Sequence, residues 1–331
     1  MHAEDLARLL GVPDLGAKLG DVERCLEHAH DSPTTLAAPS RRVTDAGGKR
    51  LRPALTIACA GLGDIYDRLV VAAATAAELV QIGSLVHDDL LDGALTRRGT
   101  PTINAVEGAN TALLAGEFVL AQAGQLAASV GAGAASILAT TISELCIGQT
   151  REMAQLSDPD RTIDEHLESI RGKTAMLFRC ACLLGTLCAE LADEQSESLA
   201  RYGEEFGMAF QVLDDVLDLV GDAERLGKPL GVDIATGVYT MPVLLALEGD
   251  DGEKLRTHLT AGDTTAAITC VIASNCVGTA LGAAETYAQS AATAAASLQT
   301  PSSDALAAFA HSYVSWALEA FVDRSVWPPS S

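Results

Sequence analysis

Two short acidic runs, Asp88-Asp89-Leu90-Leu91-Asp92 and Asp214-Asp215-Val216-Leu217-Asp218, each spell Asp-Asp-x-x-Asp inside apolar surroundings. Leu79, Val80, Ile82, Leu85 and Val86 lead into the first; Phe206, Met208, Phe210, Val212 and Leu213 lead into the second. On a helix turning about 100° per residue, the outer carboxylates of each run lie about 40° apart and one turn along the same face. Three carboxylates within one turn repel one another, and a divalent cation with a preference for hard oxygen relieves that repulsion. Magnesium fits best, because it takes one or two carboxylates and shares the rest of its octahedron with water and substrate phosphates. Manganese is the acceptable substitute.

The rest of the chain points to helices. Apolar residues make up 48% of its 331 positions and aromatic residues only 4%, and no stretch alternates as a half-buried strand does. The expectation is an all-α fold, one large helical domain over residues 1–331. Segments 4–30, 66–92, 103–128, 132–156, 162–190, 195–220, 239–247 and 252–323 read as helical. Segments 31–48, 93–102 and 221–237 read as loops, and the tail 326–331 as frayed. Residues 69–86 are apolar enough for a membrane span, but Glu78, Gln81 and the adjoining Asp88 favour a buried bundle helix, so no transmembrane segment is expected. Eight cysteines with no paired CxxC spacing read as core residues in a reducing, cytoplasmic compartment. A formal charge of -22 excludes a nucleic-acid or anionic-membrane surface as partner.

A chain this acidic must concentrate its cations wherever it binds an anion. Three of them crowd into Gly47-Gly48-Lys49-Arg50-Leu51-Arg52-Pro53. Arg97 and Arg98 follow the first aspartate run in Arg97-Arg98-Gly99-Thr100-Pro101-Thr102, and their forks suit two different anions. Lys173 sits among Ile170, Met176, Leu177 and Phe178, where a lysine needs an anion, and Lys228 lies in the glycine-rich Gly227-Lys228-Pro229-Leu230-Gly231-Val232-Asp233. Six carboxylates on two helices, cations in four places and apolar walls suit two diphosphates with hydrocarbon tails, and the chemistry they imply is ionisation of an allylic diphosphate. No Ser-His-Asp or Cys-His arrangement demands a nucleophile, and His87 reads as structural.

In this order the motifs, together with Leu85 to Asp92, Lys173-Thr174 and Phe210-Gln211-Val212-Leu213-Asp214-Asp215-Val216-Leu217-Asp218, resemble the trans-isoprenyl diphosphate synthases, the polyprenyl synthetase family, over about Gly47 to Leu247. The resemblance implies an isoprenoid-synthase-type bundle around a central apolar cavity, a homodimer, and three Mg²⁺ ions per active site. It implies that isopentenyl diphosphate condenses head-to-tail with an allylic diphosphate. By the same resemblance Asp88, Asp92 and Asp214 ligate metal and Asp89, Asp215 and Asp218 complete the shells. Arg97, Lys173 and Lys228 hold the allylic diphosphate, with Gln211 among the catalytic set; Lys49, Arg52, Gln81 and Arg98 hold isopentenyl diphosphate, with Thr174 and Asp233 also on the substrate side. Gln81 stands where many members carry His, Glu117 where Asp is usual, and Val238 where short-chain members carry a second lysine. That last departure favours the longer-chain type over farnesyl synthases. Gly83 and Ser84 lie about one turn before Asp88, and with Ala73, Ala76 and Ala77 they read as an unblocked tunnel for a product longer than C15. The competing functions are a class I terpene cyclase, disfavoured by the basic set at Lys49, Arg52 and Arg98, and a regulatory subunit of a heteromeric synthase, disfavoured by the retained aspartates.

Overall fold

A computed structural model describes residues 3–31, 34–63, 65–227 and 229–322. Among them the regular structure is helical, as expected, apart from a two-residue antiparallel ladder in which Thr96 pairs with Pro101 and Arg97 with Thr100, and an isolated bridge between Gly221 and Val322. Contacts gather the chain into two compact units: residues 1–143, 177–203 and 293–309 in the first, residues 144–176, 204–292 and 310–331 in the second.

The first unit is built on the helix Arg68–Leu91. Asp67 caps its start by accepting from Leu69 N at 2.8 Å and Val70 N at 3.1 Å, and Gly93 at φ 62 takes the left-handed conformation just past its end. Val70, Leu79, Val80, Ile82 and Val86 are almost wholly buried. At about 1.5–3 kcal/mol for each large apolar side chain, that burial holds a helix carrying the buried carboxylates Glu78 and Asp89. It packs against Leu15–Ala29, Leu51–Ala60 and Ala109–Val130.

Close approach to Ala109–Val130 depends on glycine. A Cβ on Gly116 would overlap the His87 ring, and one on Gly83 would lie 2.9 Å from Leu120 Cδ2 and 3.3 Å from Gly116 O. His87 Nε2 lies 3.3 Å from Leu113 O, so His87 is a packing residue, as its position implied. Gly83 is small where the Ala109–Val130 helix presses on it. Arg68–Leu91 and Ala109–Val130 are both long and apolar enough to cross a membrane by length and composition. In the first, 72% of the apolar window is buried inside the fold, in the second 28%.

Two segments read as loops carry helices: Ala37–Asp45 in 31–48, and Ala223–Leu226 with Val232–Thr236 in 221–237. Ala37–Asp45 forms a helix although Pro39 lies inside it. Proline is tolerated there because the first-turn amides have no intrahelical acceptor. The second unit contains residues 144–154, the helix Ile163–Ile170 opened by a Thr162/Glu165 capping box, residues 204–220, and an aromatic cluster that residues 204–220 share with 310–322. Tyr313 stands 5.4 Å from Phe206, 5.7 Å from Phe210 and 5.6 Å from Trp316, so a chain poor in aromatics concentrates them here.

Candidate active site

The basic turn in the first unit is held by the arginine to which the sequence assigned no role. Arg50 sits at φ 50 between two helices, donating through Nε and Nη2 to Glu23 at 2.6 and 3.0 Å and through Nη1 to Glu78 at 2.8 Å. Burial works against the Arg50 charge, but the bonds to Glu23 and Glu78 outweigh it and hold the guanidinium above its ordinary value. With Arg50 pinned, its neighbours Lys49 and Arg52 remain partly exposed, and the Arg52 guanidinium lies 4.4 Å over the Phe178 ring.

The two adjacent arginines go to different places. Arg97 Nε donates to Asp89 Oδ1 at 2.7 Å, whereas Arg98, at φ 51, brings Nη1 to 3.0 Å from where a Cβ on Gly48 would stand. Any larger residue at 48 would therefore push Arg98 away from the Lys49 turn. Gln81 and Ser84 are partly exposed, the Ser84 hydroxyl donating to Gln81 O at 2.9 Å. Asp88 is partly exposed and Asp92 exposed, but Asp89 is only 3% exposed and faces Arg97. Burial raises the Asp89 pKa, and the Arg97 charge opposes that rise without cancelling it.

In the second unit Lys173 lies on a single π-turn, Arg171–Ala175, between two α-helical segments. A Cβ on Gly148 would overlap Lys173 N, and one on Gly172 would lie 2.8 Å from Glu144 O. Two glycines thus let the turn rest directly on the preceding helix, and Lys173 Nζ reaches Glu152 Oε1 at 2.7 Å. The anion that the sequence required for Lys173 is Glu152. Thr174 Oγ1 donates to Gln211 Oε1 at 2.8 Å, Gln211 Nε2 donates to Asp215 Oδ1 at 3.0 Å, and His166 Nε2 lies 3.0 Å from Asp215 Oδ2. Asp215, 2% exposed, therefore has both oxygens engaged. Asp218 Oδ2 accepts from Asp233 N at 3.2 Å, which ties the glycine-rich loop to the second aspartate run. Lys228 lies outside the described residues.

The structure sorts each aspartate triplet. Asp89, Asp215 and Asp218 are buried and accept from protein donors, while Asp88, Asp92 and Asp214 retain exposure. Among the described residues no three acidic, His or Cys groups converge on one point. That donor set fits magnesium, which takes few protein carboxylates and completes its shell with water and phosphate oxygen. Sequence reasoning missed Glu152, Arg161 and His166, isolated polar residues with no motif to mark them. It passed over Glu78 and Arg50, whose signal was a carboxylate within an apolar helix and a third cation beside Lys49.

These motifs match the polyprenyl synthetase family model over residues 33–273. The chain is 40% identical over 218 residues to a nonaprenyl diphosphate synthase of Mycobacterium tuberculosis, covering 65% of this chain and 65% of that one. It is 36% identical over 238 residues to heptaprenyl diphosphate synthase component 2 of Geobacillus stearothermophilus, covering 72% and 73%. In structure it is similar to a polyprenyl synthase of Caulobacter crescentus complexed with calcium and isoprenyl diphosphate, with TM-score 0.87, 30% identity and coverage of 95% and 98%. With the family model spanning most of its length and the fold retained throughout, the chain belongs to the polyprenyl synthetase family.

Proposed function

We propose that the protein is a prenyltransferase that condenses isopentenyl diphosphate with an allylic diphosphate, head to tail, to give a linear trans-polyprenyl diphosphate longer than C15. The observation that carries this is the divergence of Arg97 and Arg98, one turned to Asp89 and the other to the Lys49 turn. Neighbouring forks sent to two places suit two diphosphates.

Lys49, Arg52, Arg98 and Gln81 hold isopentenyl diphosphate, the Arg52 guanidinium resting over the Phe178 ring. Arg97, Lys173 and Lys228 hold the allylic diphosphate. Asp88, Asp92 and Asp214 ligate Mg²⁺, three ions per site, and Asp89, Asp215 and Asp218 support them from behind. Bound magnesium neutralises the charge that builds on the departing diphosphate. The allylic carbon–oxygen bond breaks, the double bond of isopentenyl diphosphate forms the new carbon–carbon bond, and the released diphosphate takes the proton lost in forming the new double bond. Protein side chains supply position and charge, not a nucleophile. Gln211, fixed between Thr174 and Asp215, keeps the second aspartate run oriented. Gly83 and Ser84 are the tunnel residues, and the nonaprenyl and heptaprenyl names of two relatives support a long product.

The protein acts in the cytoplasm as a homodimer: in the Ala109–Val130 helix, Leu113 and Leu114 are about half exposed, as is Val106 just before it. A relative named as a component of a heptaprenyl synthase raises a heteromeric assembly as the second reading. Purified protein incubated alone with Mg²⁺, labelled isopentenyl diphosphate and primers from dimethylallyl to geranylgeranyl diphosphate tests both. Elongation beyond C15 is expected, abolished by EDTA and restored by Mg²⁺. No elongation with any primer would falsify the proposal for the chain alone, and elongation only on adding a partner subunit would favour the heteromer.

A further inference from the structure

Arg161 stands in the second unit with Lys173 and Glu152, and no motif accounts for it. It is 4% exposed. Its loop is anchored on both sides, Ser157 N donating to Gly237 O at 2.7 Å and Arg256 Nη1 pairing with Asp160 Oδ1 at 2.8 Å. Only Nη1 has an acceptor, Tyr239 O at 3.3 Å, while Nε and Nη2 are buried with no hydrogen-bond partner among the described residues. A buried guanidinium with unused donors is expensive unless it serves a second state. The carboxylates acting on it most strongly are Glu152 and then Asp215, followed by Glu165 and Asp158. Burial nonetheless holds its pKa below the ordinary arginine value, so these anions do not fully offset the loss of water.

Glu152 is the carboxylate that Lys173 holds, 2.7 Å from its Nζ, and it too is largely buried. If Lys173 turns to a diphosphate, Glu152 is left as a buried charge without its partner, which ordinarily costs enough to keep the lysine where it is. Arg161 is a cation on which Glu152 acts and which has donors to spare.

We propose that Arg161 is a positioning residue: its unused Nε and Nη2 donors receive the Glu152 carboxylate when Lys173 leaves for the allylic diphosphate, so that the lysine is released without stranding a buried anion. The exchange moves no proton and makes no covalent bond. The inference rests on the assignment of Lys173 to the allylic diphosphate.

The test compares wild type, R161M, R161K, E152Q, R161M/E152Q, R161K/E152Q and K173M by steady-state kinetics with each substrate varied. Direct titration with a non-ionising allylic thiolodiphosphate in Mg²⁺ runs alongside. R161M is expected to raise the allylic KM by about tenfold or more and to leave the isopentenyl KM within about twofold. Adding E152Q should return the allylic KM most of the way to wild type, because the anion that needed Arg161 is gone. A merely structural Arg161 gives no such rescue, so R161M/E152Q no better than R161M overturns the inference, as does R161M equal to wild type. If R161M does not fold, R161K and R161K/E152Q decide by the same rescue. Wild type without elongation overturns the proposed function. Active wild type with an unchanged allylic KM in K173M overturns the role of Lys173, and the exchange with it.

Discussion

At the scale of single residues, burial decides which polar groups are available for chemistry. Cys180 is fully buried and its thiol is pushed up to about 11 by that burial, whereas Cys146 is exposed. Iodoacetamide at neutral pH should label Cys146 first, and Cys59, Cys180 and Cys182 only after denaturation, as peptide mass spectrometry will show. His30 is 1% exposed with Nε2 2.7 Å from Thr44 Oγ1, and burial, the Arg41 charge adding to it, lowers its pKa below the ordinary 6.5. A base depressed in the folded state binds fewer protons there than in the unfolded chain. Its contribution is complete above pH 6.5 and is lost as pH falls from 6.5 through the folded value. The urea midpoint should drop between pH 7 and pH 5, and drop less in His30→Gln. The aspartates, Lys173 and the basic turn were all legible as residues, because charge inside an apolar run is a local signal. Glu152, Arg161 and His166 were not, since a polar residue on an amphipathic helix looks the same whether it meets solvent or another helix.

At the scale of elements, glycine contacts set the geometry. A methyl group on Gly148 would run into the backbone of Lys173, so Gly148→Ala should cost about 1–3 kcal/mol of stability, the usual range for overpacking. It should also raise the allylic KM by displacing the π-turn, both readable from thermal melts and kinetics on one preparation. Helix extents were largely legible from the apolar pattern, as over 66–92, although Leu51–Ala60 beside the basic turn was assigned no element. The π-turn was not, because it results from tertiary contact between Gly148 and Gly172. The same distinction separates Gly83 from Ser84. Gly83→Phe should lower the melting temperature by loosening the helix from Leu120. Ser84→Phe should keep the fold and shorten the product, measured by chromatography of the dephosphorylated alcohols; unchanged product length in Ser84→Phe would remove the tunnel assignment.

At the scale of the whole molecule, an all-α chain was legible from composition and pattern together. Division into two compact units was not, since each unit is assembled from three separate stretches and no change in composition marks their borders. The apolar Ala109–Val130 helix with Leu113 and Leu114 exposed carries the prediction for assembly. Leu113→Glu/Leu114→Glu should convert a dimer to a monomer at micromolar concentration by light scattering, since charge at the centre of an apolar interface opposes association.

The helix Arg68–Leu91 holds the basic turn through Glu78 and carries Asp88 ten residues later. At about 1.5 Å of rise per residue the two anchor points stand about 15 Å apart along one rod. That span is written into the backbone and does not stretch with temperature or ligand. The two groups therefore keep one separation within the first unit, set by the backbone and not by the side chains around them.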